Sequence, residues 1–230
     1  MLPAMPRRAL LRALPALLLP ALLAPRLALA GTEGAVPAAA TTAAPAGATL
    51  PDAQTVIAPI RTLCDGLIGV MKAGTKTPFD QRVAMLAPAI DKAFDLATIL
   101  QVSVGFDWPN LPADQRTTLL AAFRRYTIAS YVSSFDSFDG QHFVVSPTLR
   151  AVGAEQVVDT RIVATNGDTH TLDYVMRQDK AGWQAVDVLA DGTISRVAVQ
   201  RSDFRQLLAH GGGPALLASL QRKVADLSSG

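Results

Sequence analysis

At Gly140 the spacing of apolar residues changes from three or four to two. The first spacing is that of a helix with one buried face, the second that of a strand with one buried face. A chain that runs helices first and strands second cannot alternate into parallel βαβ units. It can pack its helices against an antiparallel sheet, an α+β arrangement.

The helical half reads from Asp52 to Phe138. A helix from Pro59 to about Lys72 would place Ile60, Leu63, Cys64, Leu67, Ile68 and Met71 on one face, ending at Gly74. A second begins near Pro78 and carries Val83, Leu86 and Ile90; a third spans Phe94–Gly105. After the turn DWPNLPADQ, a long helix from about Ala113 to Ser137 carries Leu119, Leu120, Phe123, Tyr126, Tyr131, Phe135 and Phe138.

The strand half predicts His142–Leu149, Gln156–Ala164, Thr169–Gln178, a strand from Trp183, and a last strand Thr193–Gln200. Asn166-Gly167 and Asp191-Gly192 mark tight turns between strands. Helices return at Ser202–Ala209 and Pro214–Leu227. The expected architecture is N-terminal helices on a twisted antiparallel sheet of 4–5 strands, closed by C-terminal helices.

The first thirty residues have a different character. They hold four arginines and no acid, an apolar stretch at Leu14–Leu23, and Ala28-Leu29-Ala30 before Gly31. This is the pattern of an export signal cleaved before Gly31. Residues 31–50, rich in alanine, threonine, glycine and proline with one charge, read as a disordered linker. Residues 51–230 then form one domain of ordinary size. The full chain carries +2, but without the leader 17 basic residues face 19 acidic ones, which argues against nucleic acid as a partner. No other stretch is long and apolar enough for a membrane span, so the mature protein is expected in an exported compartment.

Catalytic signatures are sparse. One cysteine, Cys64, permits no internal disulfide and falls in an apolar stripe, which suits a buried thiol. Three scattered histidines, His142, His170 and His210, suit no metal site. The HGGG run at His210–Gly213 lacks the G-x-S-x-G elbow that an esterase requires, and reads as a break between helices before Pro214. Asp136 and Asp139 lack the remaining ligands of a calcium loop. Asp173 and Asp187 fall in strands; each could serve as a general base in a cavity, and solvated or paired strand carboxylates explain them more simply. Arg124-Arg125 fits a lipid or membrane contact, and also the wet side of a helix. No catalytic residue, cofactor or metal is expected.

The segment FDLATILQVSVGFDWPNLPADQRTTLLAAFRRYTIASYVSSFDSFDG (Phe94–Gly140) resembles the core of the MlaC-type auxiliary proteins, also called toluene-tolerance or ABC-transporter auxiliary components. The matching pieces are Phe94-Asp95-Leu96, Gly105, Trp108, Gln115, Phe123, Tyr131 and Phe135/Phe138–Gly140. Tyr174–Phe204 resembles the family through Trp183, Asp187, Gly192, Ser195, Arg201 and Phe204, and the closing helix is similar too. The resemblance runs from about Pro59 to Leu227. Thr193 and Gln200 depart from the family pattern and resemble the hopanoid-associated HpnM branch.

The resemblance implies a periplasmic lipid carrier with an apolar cavity between helices and sheet. Its cargo would be a phospholipid or hopanoid, moved between an inner-membrane transporter or exporter and an outer-membrane acceptor. The residues expected to line the cavity are Leu96, Ile99, Leu100, Phe123, Tyr126, Tyr131, Phe135, Tyr174, Met176 and Val188. For each of these, ordinary core packing is the competing reading. Two other classes remain open at this point. An enzyme on a similar curved sheet would hold a buried carboxylate at the cavity floor; a scaffold without cargo would have a filled core and an apolar surface patch.

Overall fold

The computed structural model describes residues 52–229; the predicted leader and linker lie outside them. Five helices and five strands follow in the order α1 (Ala53–Ala73), α2 (Phe79–Ala93), α3 (Leu96–Val104), a 3-10 turn (Gly105–Asn110), α4 (Ala113–Ser134), β1 (His142–Val152), β2 (Glu155–Val163), β3 (Thr169–Asp179), β4 (Gly182–Ala190), β5 (Ile194–Ser195) and α5 (Arg196–Ser229). The strands form one antiparallel meander, β1-β2-β3-β4-β5. The expected α+β architecture is thus the observed one.

Helix α1 starts earlier than its apolar pattern suggested. The Asp52 carboxylate accepts from the Gln54 backbone N–H at 3.2 Å and from the Thr55 hydroxyl at 3.1 Å, which caps the first turn. Pro59 therefore lies inside the helix rather than opening it. The face Val56, Ile57, Ile60, Leu63, Cys64, Leu67, Val70 and Met71 is buried. Burial, aided by neighbouring Asp65, pushes the Cys64 thiol up to about 12, so it stays protonated at neutral pH. Helix α2 packs along α1 at Gly66, where an added Cβ would come 3.1 Å from that of Ala89.

The link between α2 and α3 is pinned to the sheet. The Asp95 N–H donates to the Ala185 carbonyl at 3.0 Å, and the Gln184 amide donates to the carbonyls of Asp91 and Phe94. Asp95 also caps α3 through the Thr98 N–H at 2.9 Å. Phe94 is thereby held, 4% exposed, beneath β4.

The predicted last strand is corrected. Only Ile194 and Ser195 pair with β4, and Arg196–Gln200, expected as strand, is the first turn of α5. Valines alternating through RVAVQ look like a strand, but the caps decide otherwise. The Ser195 hydroxyl accepts from the Ala198 N–H at 2.9 Å, and the Asp187 carboxylate accepts from the Val197 N–H at 3.1 Å and from the Ser195 hydroxyl. Free N–H groups of the first turn are satisfied by these two side chains together. Asp187 reaches α5 because β4 bulges here: Val175 pairs with Asp187 and Met176 with Ala185, leaving Val186 extra. Such a bulge re-aims the neighbouring side chain. Helix α5 kinks at Gly212 (φ 60°), so the HGGG run breaks a helix as expected.

Two stability outcomes follow from these contacts. Gly66→Val should lower unfolding stability by about 1–3 kcal/mol through overpacking of α1 on α2, read as a drop in the urea midpoint. Asp187→Ala should cost about 1–2 kcal/mol by uncapping α5, with Asp187→Asn closer to wild type in the same measurement.

Candidate functional site: a lined cavity between helices and sheet

An internal cavity of about 130 Å³ lies between the helices and the sheet. Its buried floor is Phe94, Leu96 and Ile99 from the α2–α3 link and α3, Phe123 from α4 and Phe135 just past its end, Leu172, Val188 and Ala190 from β3 and β4, and Val197 from α5. Tyr126, Thr127, Ser130 and Tyr131 of α4, with Asp187 and with Arg196 and Gln200 of α5, line it while partly exposed. The mouth therefore opens between α4 and the first turns of α5.

Small residues on α4 make the space. Thr127, Ser130 and Ser134 recur on the wall at helical spacing, where a filled core would carry Leu or Ile. Their hydroxyls are not offered to the cavity. Each donates to the carbonyl four residues back, on Phe123 at 2.9 Å, Tyr126 at 2.8 Å and Ser130 at 2.7 Å. What faces inward is chiefly methyl, methylene and aromatic surface.

One end is an aromatic cluster. Phe94 lies 5.7 Å from Tyr131 and 6.1 Å from Tyr174 between ring centroids, and Tyr131 stacks on Phe135 at 6.1 Å. Burial raises the phenol pKa of both Tyr131 and Tyr174, and the nearby Arg196 guanidinium opposes the rise at Tyr131. The Tyr174 hydroxyl is buried and makes no hydrogen bond to another described group. A charged group borders this cluster. Arg196 lines the wall with no carboxylate within 4 Å among the described residues, because the oxygens of nearby Asp187 are committed to the α5 cap.

Of the ten residues singled out in the sequence, seven stand on the wall: Leu96, Ile99, Phe123, Tyr126, Tyr131, Phe135 and Val188. Leu100, Tyr174 and Met176 do not; they are fully buried in the surrounding core. Leu100 neighbours Ile99 on α3 yet packs within the core, as does Met176, and the Tyr174 ring lies 6.1 Å from that of Phe94 without reaching the wall. Sequence reasoning missed Phe94, Leu172, Arg196 and Gln200, and also the Thr127–Ser130–Ser134 stripe, whose spacing was legible.

The two strand carboxylates are accounted for. Leu172 lines the cavity, so neighbouring Asp173 points to the opposite sheet face. There Asp173 pairs with Arg150 at 3.2 Å beside Asp159, and burial together with the Asp159 charge raises its pKa. Asp187 holds α5. Neither is a free carboxylate at the cavity floor. Arg124, read as a lipid contact or wet surface, donates twice to Asp91 at 2.6 Å.

A search of curated proteins finds no match. Among solved structures, a phospholipid-binding protein from Ralstonia solanacearum, determined in complex with a phospholipid, superposes with a TM-score of 0.65. It is 19% identical, and the match covers 75% of this chain and 98% of that one. At this identity the likeness establishes a shared fold. The model of the MlaC protein family matches residues 61–222, which include every element that builds the cavity. By that match, with the helix-over-meander fold just described, the chain belongs to the MlaC family.

Proposed function

We propose that the protein is a periplasmic lipid carrier that takes acyl chains into the cavity between α3, α4, α5 and the sheet. It would shuttle them between an inner-membrane transporter or exporter and an outer-membrane acceptor, with residues 1–30 as the export leader. The observation that carries this reading is a cavity whose floor is buried and apolar and whose charged lining groups, Asp187 and Arg196, are partly exposed. A diacyl lipid has roughly 30 methylenes, and exposing each to water costs about 0.8 kcal/mol, so about 24 kcal/mol opposes free transit. A protein that covers the chains removes that barrier without covalent chemistry, which suits a wall of internally bonded hydroxyls and aromatic rings. The Ralstonia relative is described as binding a phospholipid, which favours phospholipid over hopanoid as cargo.

The size of the cavity sets a condition on the mechanism. An apolar cavity of about 150 Å³ holds a benzene ring. The 130 Å³ present here is of that order and is too small for two acyl chains, so loading requires the walls to part. The outer part of the seam between α4 and α5 is where they can do so. It already reaches solvent at the partly exposed Tyr126, Thr127 and Gln200, while the buried edge-on contact of Phe123 with Phe204 keeps the two helices joined.

Native mass spectrometry of protein purified from the periplasm of an expressing bacterium, followed by solvent extraction, should reveal a co-purifying phospholipid. Recovery of a hopanoid would change the cargo and keep the carrier. Ligand-free protein that also takes up no lipid from vesicles would sink the carrier reading. Ser130→Trp should fill the cavity, reduce bound lipid by about tenfold or more, and leave the melting temperature unchanged or raised. Undiminished lipid in a folded Ser130→Trp protein would place the cargo elsewhere.

A further inference from the structure

We propose that the face bearing Phe106, beside the cavity mouth, docks on an anionic lipid surface, so that cargo is exchanged at the bilayer itself; this rests on the carrier reading above. Phe106 is 89% exposed, more than any other large apolar side chain among the described residues. It stands on the turn after α3, and Val102 of α3, four residues earlier in the chain, is 44% exposed. The ring has a cation for a neighbour: the Arg201 guanidinium sits 5.7 Å from its centroid. Arg201 in turn lies over Gly105, where an added Cβ would come 3.3 Å from its Nε. Ring and charge thus form one packed unit, with the ring projecting into solvent.

The placement connects this unit to the cavity. Gln200 lines the cavity and accepts a hydrogen bond from Ser103 at 3.3 Å, one turn before Phe106. Arg201 is the next residue on α5. The mouth has cations of its own, Arg196 on the wall and Lys223, whose Nζ lies 5.5 Å over the Tyr126 ring. Arg196, Arg201 and Lys223 have no carboxylate within 4 Å among the described residues. Of the acids on the same elements, Asp107 is exposed next to Phe106, Asp203 is half-buried on α5, Asp226 is exposed near its end, and Asp187 is committed to the cap.

This chemistry fits a bilayer surface. An aromatic ring inserts at the level between headgroups and acyl chains while flanking cations meet lipid phosphates. A stable protein interface would need a broad apolar core, and here one ring and one valine project among charges. A bilayer is also where a carrier must meet its cargo.

The test is sedimentation of the periplasmic protein with vesicles, either pure phosphatidylcholine or an equal mixture with phosphatidylglycerol. Wild type should bind the phosphatidylglycerol vesicles, bind the neutral ones poorly, and be released as salt screens the charges. Phe106→Asp should weaken binding by about tenfold or more, Phe106→Ala by less, and Arg201→Gln should lower the salt-sensitive part. Both Phe106 variants alter an exposed side chain and should melt as wild type does. Native mass spectrometry on the same samples separates docking from carrying: Phe106→Asp should keep its lipid. Equal sedimentation with both vesicle types, or Phe106→Asp binding as wild type does, would overturn the proposal and leave the patch to a protein partner. Absence of cargo from every sample would overturn the carrier reading instead.

Discussion

A helix face packed on a sheet leaves empty volume only where inward side chains are too small to fill it. In this protein that condition is met by Thr127, Ser130 and Ser134 on α4 and by Ala190 on β4. Close packing is the norm inside proteins, and each unfilled volume forfeits dispersion contacts. The surrounding core supplies the compensation. Leu63, Leu67, Leu86, Ile90 and Leu100 are fully buried, and Phe123 closes edge-on against Phe204 at 6.3 Å. The cavity is a local deficit held open by a well-filled frame.

The second requirement is a wall on the α5 side, which rests on the cap formed by Asp187 and Ser195. Had the chain continued as a strand through Arg196–Gln200, alternate residues would have faced the two sides of the sheet. As a helix, the segment turns Val197 and Gln200 onto the cavity and sets Arg196 at its rim. The strand bulge at Val186 gives the Asp187 carboxylate its direction. A single strand irregularity thus determines both where α5 begins and where the polar mouth lies. The same carboxylate, committed to backbone N–H groups, leaves Arg196 without an ion-pair partner.

Polarity is managed differently on the two sheet faces. On the cavity face, hydroxyls are turned back onto their own helix, and the Thr160 hydroxyl donates to the Leu172 carbonyl. On the opposite face, Arg150 bridges Asp159 and Asp173 at 3.2 Å each. Alternation along a strand allows one segment to serve both, as Leu172 and Asp173 show side by side. Fold and cavity share residues here: Phe94 belongs to the aromatic cluster, to the α2–α3 link and to a bridge with Ala185.

Local patterns in the sequence determined the element types as far as β4, the meander and the division at Gly140, because apolar period, caps and tight turns act over a few residues. They also identified Ile99, Phe123 and Val188 as inward-facing. They could not distinguish Ile99, on the wall, from Leu100, packed behind it, because both are large, apolar and buried. Which of two neighbouring core residues borders a void depends on the rotation of α3 against β4 and α5, a relation among segments distant in the chain. The start of α5 was hidden for the same reason: its cap comes from Asp187, a residue of another strand. Tertiary structure alone decided where the volume was left empty, since a void is defined by the side chains that fail to meet across it.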